Sequence, residues 1–204
     1  MKWILASASP RRKELFGEVV EKFEIMIATG EERAGSDCPA TLVKALATQK
    51  AEEVAELPQA KDKAVLGADT VVVLDNEVLG KPKDEADAFR MLKLLSGKRH
   101  EVHTGVCILI CKDKKVGCTV KSVKTSVYFN ELSDEWIWNY IRGGSPMDKA
   151  GAYGIQDGGL VAKIKGSYSN VVGLPVELCK KMIKKINGSK KVLNSYLPLS
   201  LWEK

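Results

Sequence analysis

Two serines and two arginines fall within the six residues Ser7-Ala8-Ser9-Pro10-Arg11-Arg12. They lie between a short apolar run, Trp3-Ile4-Leu5-Ala6, and a stretch with Leu15, Phe16, Val19, Val20 and Phe23 at helical spacing. A strand feeding a helix at this point leaves the first helical amides without intrahelical partners; Ser9 suits the N-cap and Pro10 the first helical position. Such a start favours an anion by roughly 0.3–1 kcal/mol. Two guanidiniums add forked donors shaped for phosphate. Two readings of the junction stand side by side: a phosphate site built on Ser7, Ser9, Arg11 and Arg12, or a capped helix with two surface arginines.

A second stretch, Gly67-Ala68-Asp69-Thr70-Val71-Val72-Val73, reads as a buried strand interrupted by a carboxylate and a hydroxyl. Burying a lone carboxylate is costly, so Asp69 is either at the rim of a site or satisfied by partners. Lys81 in the turn Gly80-Lys81-Pro82, Lys50 late in a helical segment, and Glu31-Glu32 are each, taken singly, ordinary solvated charges. A third stretch, Met147 to Gly159, has glycines at 151, 154, 158 and 159, which allow positive φ and close backbone approach to a ligand. Within it Tyr153 offers a stacking face, and Gln156 offers both a donor and an acceptor, as a base edge requires. A structural loop is the alternative there.

The elements that must position these residues alternate between strand and helix. Strands are expected near residues 2–7 and 23–27, over 64–75 as a valine-rich run buried on both faces, over 99–111 and 116–129, and at 160–164. Helices are expected over 10–20, 39–56 and 84–95, from Ser133 through Ile141, and from Pro175 onward. Lys112-Asp113-Lys114-Lys115 is a hairpin turn between the two long strands, and residues 189–204 are a frayed tail or a docked extension. The class is α/β, with one domain over 1–187 and a C-terminal tail over 188–204.

Composition narrows the function. At 204 residues, 45% hydrophobic and 28% charged, the chain suits a globular protein, and its longest apolar run, Val106–Cys111, is far too short to cross a bilayer. One lysine before a very short apolar run is not a signal peptide, so a cytoplasmic protein without membrane partners is expected. The net charge of +6 is concentrated in Lys180, Lys181, Lys184, Lys185, Lys190 and Lys191; without these six, the basic and acidic residues balance at 26 each. That is a solvated helix face rather than the footprint of a DNA or RNA binder. Five cysteines without CxxC spacing read as reduced thiols. His100 and His103, on opposite faces of a strand, do not make a joint zinc site. Any metal would rest on oxygen ligands, which suits magnesium or manganese. No GxxxxGK[ST], GxGxxG after a strand, HExxH or GxSxG is present.

Five segments in order, SASPRR at 7–12, GADTVV at 67–72, GKP at 80–82, DKAGAYGIQ at 148–156 and GSYSNVVGLP at 166–175, make the chain resemble the Maf family of nucleoside triphosphate pyrophosphatases. The resemblance covers about residues 2–187. It implies an elongated mixed sheet flanked by helices, with two lobes around a central cleft, similar to the inosine triphosphate pyrophosphatases. It also implies metal-dependent cleavage of a nucleotide to monophosphate and pyrophosphate. Asp69 matches the proton acceptor of the family, and Arg11, Thr70 and Gln156 match positions linked to base choice, in the form of the branch acting on dTTP and UTP. Homodimers are usual in the family. On this reading Asp69 and Glu32 hold magnesium or manganese, while Ser7, Ser9, Arg11, Arg12, Lys50 and Lys81 engage phosphate. The rivals are the same chemistry on CTP or 7-methyl-GTP, and a nucleotide-binding regulator of division with little turnover. Asp157 stands where the family often has glycine, and the segment from Glu32 to Pro39 looks short.

Overall fold

The computed structural model describes residues 1–33, 35–112, 115–143 and 146–188, with the backbone alone at 115, 116, 197 and 198. The first elements along the chain are β1 (Lys2–Ala6), α1 (Pro10–Gly17), β2 (Phe23–Met26), α2 (Pro39–Ala55), β3 (Lys63–Leu74), β4 (Glu77–Leu79) and α3 (Glu85–Leu95). Then follow β5 (Arg99–Lys112), β6 (Lys115–Phe129), α4 (Asp134–Arg142), β7 (Val161–Lys165), α5 (Tyr168–Val172), α6 (Val176–Gly188) and β8 (Leu197–Pro198). The strands form one mixed sheet in the order β2-β1-β3-β5-β6-β7, with β4 paired to β3 and β8 to β6. The chain divides into two compact units: residues 1–69, 104–123 and 173–204 make the first, and 70–103 and 124–172 the second.

In the first unit, β1 is parallel to both β2 and β3. Its apolar run is buried on both faces, and strand alternation divides it. Trp3 and Leu5 pack with Phe16 of α1, whereas Ile4 and Ala6 pack with Ala47, Ala51 and Val54 of α2. The same split holds for β3, with Ala64, Leu66 and Ala68 on the α1 side and Val65 on the α2 side. In β5, Val106, Ile108 and Ile110 face one way and Cys107 and Leu109 the other. The helix α6 completes the α1 side with Cys179, Met182 and Ile186 and leaves Lys180, Lys181, Lys184 and Lys185 exposed. Lys190 and Lys191 lie outside the described residues.

Two glycines bring α2 against the strands. A Cβ at Gly67 would stand 2.3 Å from the Ala47 carbonyl oxygen, and one at Gly105 would stand 2.1 Å from that of Val43. No other residue fits at either point without moving backbone.

In the second unit, β3 turns back into β4 through Asp75 and Asn76, both at positive φ (49° and 70°), and Val72 pairs with Leu79. This two-residue hairpin follows the twist of its strands; it lies just past the point where the apolar pattern ends and is not apparent in the periodicity. α3 is capped by Asp84, which accepts from the Asp87 amide at 2.8 Å, and α4 by Ser133, which accepts from the Trp136 amide at 3.2 Å. Their apolar faces meet Val72, Leu79 and Leu160 in a core that also takes Leu92, Leu95, Ile137 and Ile141. The short α5, unforeseen in the glycine-rich stretch, sets Asn170 inside this unit, where its Nδ2 donates to the Val102 carbonyl and to Thr125 Oγ1, both at 3.0 Å. α1 ends at Gly17, a few residues earlier than its apolar spacing suggests. Asp113 and Lys114 of the expected hairpin turn, and residues 189–196 and 199–204 of the tail, lie outside the described residues.

Candidate active site

Alternation along β3 decides where Asp69 faces. Val65 and Gly67 lie on the α2 side, so Asp69, two residues further, faces α2 as well. Gly67 lets the helix come down at Ala47–Ala51, which brings Lys50 to the carboxylate. Lys50 Nζ donates to Asp69 Oδ1 at 2.5 Å and meets Glu32 Oε1 at 2.8 Å. One ammonium thus joins the two carboxylates; the Asp69 side chain is 10% exposed and that of Glu32 56%.

Glu32 sits on a loop that has no regular structure of its own, and α2 ties that loop down. Glu53 Oε1 accepts the Thr29 amide at 2.6 Å and the Gly30 amide at 3.0 Å. Gln49 Oε1 accepts the Arg33 amide at 3.1 Å while its Nε2 donates to the Glu31 carbonyl at 2.5 Å. The Thr29 amide, followed by desolvation in the other sense and by Gly30, holds the Glu53 carboxyl below its ordinary value. Gln49 and Glu53 are four apart and so share a helix face, a spacing visible in the sequence but passed over there. They are the residues that place Glu32 beside Lys50.

The strand-to-helix junction after β1 forms as its residues require. Ser9 Oγ accepts the Arg12 amide at 3.4 Å, and Ser7 Oγ accepts the Ser9 amide at 3.2 Å. Each hydroxyl keeps its proton for donation. Arg12 Nε donates to the Gly173 carbonyl at 2.9 Å. Burial lowers the pKa of the Arg12 guanidinium, Asp69 and Glu32 raise it, and Arg11 adds to the lowering. Arg11, Arg12, Glu32, Lys50 and Asp69 therefore feel one another's fields, and the first unit brings together seven of the residues singled out in the sequence, from Ser7 to Asp69.

The remaining three, Thr70, Lys81 and Gln156, belong to the second unit. The Gly151 amide donates to the Gly80 carbonyl at 2.9 Å, tying the Gly80-Lys81-Pro82 turn to the loop that carries Gln156. A Cβ at Gly151, where φ is 69°, would stand 2.9 Å from the Val72 side chain, so this loop lies on the β3 face that Thr70 shares. Lys81 and Gln156 are exposed and Thr70 half-buried. Tyr153 is not a stacking platform: it is 5% exposed, packs edge-on to Phe129 and shares a 2.8 Å hydrogen bond with His100 Nε2. Burial lowers the His100 pKa to about 4, so the ring is neutral near pH 7. His103 meets Glu101 instead, at 3.1 Å.

The oxygen-rich pair Asp69 and Glu32 suits a hard divalent cation, and the Lys50 ammonium, 2.5 and 2.8 Å from the two, marks where positive charge is favoured. Among the described residues no cluster of three or more His, Cys, Asp or Glu side chains is placed to hold a metal, and the five cysteines are free thiols. Two carboxylates are enough for magnesium when substrate phosphates complete the shell.

Known proteins resemble the chain over most of its length. Proteins named dTTP/UTP pyrophosphatase are 48% identical over 181 residues in Thermococcus onnurineus (88% of this chain, 95% of the relative) and 50% identical over 181 residues in Thermococcus gammatolerans (88% and 94%). One from Agathobacter rectalis is 50% identical over 188 residues (85% and 91%). Among solved structures, the Ham1 protein of Staphylococcus aureus superposes with a TM-score of 0.54 at 15% identity, covering 91% of this chain and 100% of that one, a likeness of fold. The family model described as Maf-like protein matches residues 2–186. With nearly the whole chain matched and the residues of SASPRR, Lys50 and Asp69 gathered in one charged cluster, the chain belongs to the Maf-like protein family.

Proposed function

We propose that this protein is a nucleoside triphosphate pyrophosphatase that hydrolyses dTTP and UTP to the monophosphate and pyrophosphate. The observation that carries the reading is the ion network in which Lys50 joins Asp69 and Glu32 within the field of Arg12; the names of the relatives supply the substrate class. A triphosphate brings up to four negative charges, and it competes with the two carboxylates for Lys50. As Lys50 turns towards phosphate, Asp69 is released to orient the attacking water and accept its proton. Arg11, Arg12 and Lys81 stabilise charge on the phosphoryl oxygens and the departing pyrophosphate. Ser7 and Ser9 donate their hydroxyl protons to phosphate. Thr70 and Gln156 contact the base.

A divalent cation, magnesium or manganese, would be held by Asp69 and Glu32; bound there, it supplies a more acidic water and partial neutralisation of the phosphates. The reading extends to a cytoplasmic homodimer with one catalytic domain over 1–187, without polymer or membrane partners. Among the described residues no helix is long and apolar enough to cross a membrane.

Pyrophosphate release from dTTP, UTP, CTP, 7-methyl-GTP and ITP, with magnesium or manganese and with chelator, tests the proposal. Metal-dependent turnover of dTTP and UTP above the others is expected. Asp69→Asn should lower kcat by about 100- to 10,000-fold while nucleotide binding persists, the usual range for losing a general base. Nucleotide binding by the wild type without turnover would instead identify a regulator.

A further inference from the structure

The turn that carries Gln156 is attached at both ends to a single oxygen atom. Tyr140, in α4, accepts the Gly154 amide on its hydroxyl oxygen at 3.0 Å and donates its proton to Asp157 Oδ2 at 2.5 Å. Ile155 and Gln156 lie between those two points. The Asp157 amide closes the turn from within by donating to the Gly154 carbonyl at 3.1 Å. The carboxylate lies so close over Gly154 that a Cβ there would be 2.6 Å from Asp157 Oδ2 and would push the carboxylate aside. Tyr140 is itself held. Its ring stacks on Trp136, with centroids 5.4 Å apart and planes at 15°, and the Trp136 ring would stand 3.1 Å from a Cβ on Gly159 at the far end of the same loop.

This matters because of what a glutamine must do at a base. A carboxamide is nearly symmetric in shape but opposite in chemistry at its two ends. With its oxygen towards N3 it accepts from uracil or thymine, while its nitrogen donates to the neighbouring carbonyl. Turned about its last torsion, it donates to N3 of cytosine and accepts from the exocyclic amine. Either presentation needs the carboxamide at hydrogen-bond distance from the base edge, and a glutamine whose backbone is fixed there loses less freedom on binding than a mobile one.

We propose that Tyr140 and Asp157 are a positioning pair for Gln156, and that the Tyr140 hydroxyl they share holds its carboxamide ready at the base edge. The inference rests on the nucleotide pyrophosphatase reading above. It is tested by measuring kcat and KM for UTP with the wild type, Tyr140→Phe, Asp157→Ala and Asp157→Asn, alone and combined with Gln156→Ala. Tyr140→Phe keeps the ring stack and removes both bonds. It and Asp157→Ala should raise KM for UTP by about tenfold, the loss of a hydrogen bond or two, with kcat changed less than about twofold. Asp157→Asn, which keeps an acceptor oxygen, should stay near the wild type. In the Gln156→Ala background, Tyr140→Phe should add almost nothing.

An unchanged KM, a fall in kcat as large as the rise in KM, or full multiplication of the Gln156→Ala and Tyr140→Phe effects would make Tyr140 merely structural and overturn the inference alone. A wild type that turns over no nucleotide would overturn the function and this inference with it.

Discussion

Asp69 is a carboxylate set in an otherwise apolar strand, and Lys50 is what makes it tolerable there. Removing the ammonium strands the carboxylate with its charge uncompensated. Lys50→Met should therefore cost about 1–3 kcal/mol, less than for a fully buried pair because the Lys50 side chain is 23% exposed. Adding Asp69→Asn should return part of that loss, as urea unfolding of the single and double variants would report. His100 poses the opposite problem, a base buried as its neutral form. Its folded pKa of about 4 lies below the ordinary value of 6.5, so the unfolded chain takes up a proton first as pH falls. The stability due to keeping it neutral is complete above pH 6.5 and is lost between there and pH 4. Between pH 7.5 and 5 the wild type should lose on the order of 2 kcal/mol from this group, and His100→Gln should flatten that slope in urea titrations.

At the scale of elements, α2 organises the first unit. It lies against β3 and β5 through Gly67 and Gly105, brings Lys50 to Asp69, and reaches out with Gln49 and Glu53 to hold the loop of Glu32. Gly67→Ala would drive a methyl group into the Ala47 carbonyl, and a loss of about 3 kcal/mol in thermal or urea unfolding is expected. The Glu53 tie has its own pH signature. A carboxyl whose folded pKa is depressed supports its loop above the ordinary value, here 4.5, and releases it as pH falls through the folded pKa. Protection of the Thr29 and Gly30 amides against hydrogen exchange should fall below that point in the wild type, and at neutral pH in Glu53→Ala.

Much of this arrangement was legible in the sequence. The junction after β1, the buried interruption at Asp69 and the helix starts at Ser133 and Asp84 all follow from local rules of capping and alternation. What was not legible depends on distant pairing. Glu53 looks like any solvated glutamate until the backbone of Thr29 and Gly30 is placed beside it. Tyr153 looks like a platform until Phe129 and His100 enclose it. The turn at Asp75-Asn76 depends on positive φ at two residues that do not demand it.

At the scale of the whole molecule, neither unit is continuous in sequence. The first takes three separate stretches and the second two, and the chain leaves the first for the second between Asp69 and Thr70, in the middle of β3. The apolar clusters follow this division, one set built on β1, α1, α2 and α6 and the other on α3, α4 and the loop after it. The proposed dimer can be checked by analytical ultracentrifugation of the full chain, where a sedimenting species of twice the 22.4 kDa chain mass is expected.

The interleaving also bears on how the protein is made. Translation delivers residues in order, so the segments of the second unit have all emerged once residue 172 clears the ribosome, while the first still awaits Leu174, Cys179, Met182 and Ile186. β1 and α1 are synthesised before β3 and β5, and α6, which covers their apolar side, after both. During that interval Trp3, Leu5 and Phe16 lack part of their cover, which is the condition under which nascent chains recruit chaperones. The α1 face of the first unit is thus covered last, when α6 packs over β1, β3 and β5.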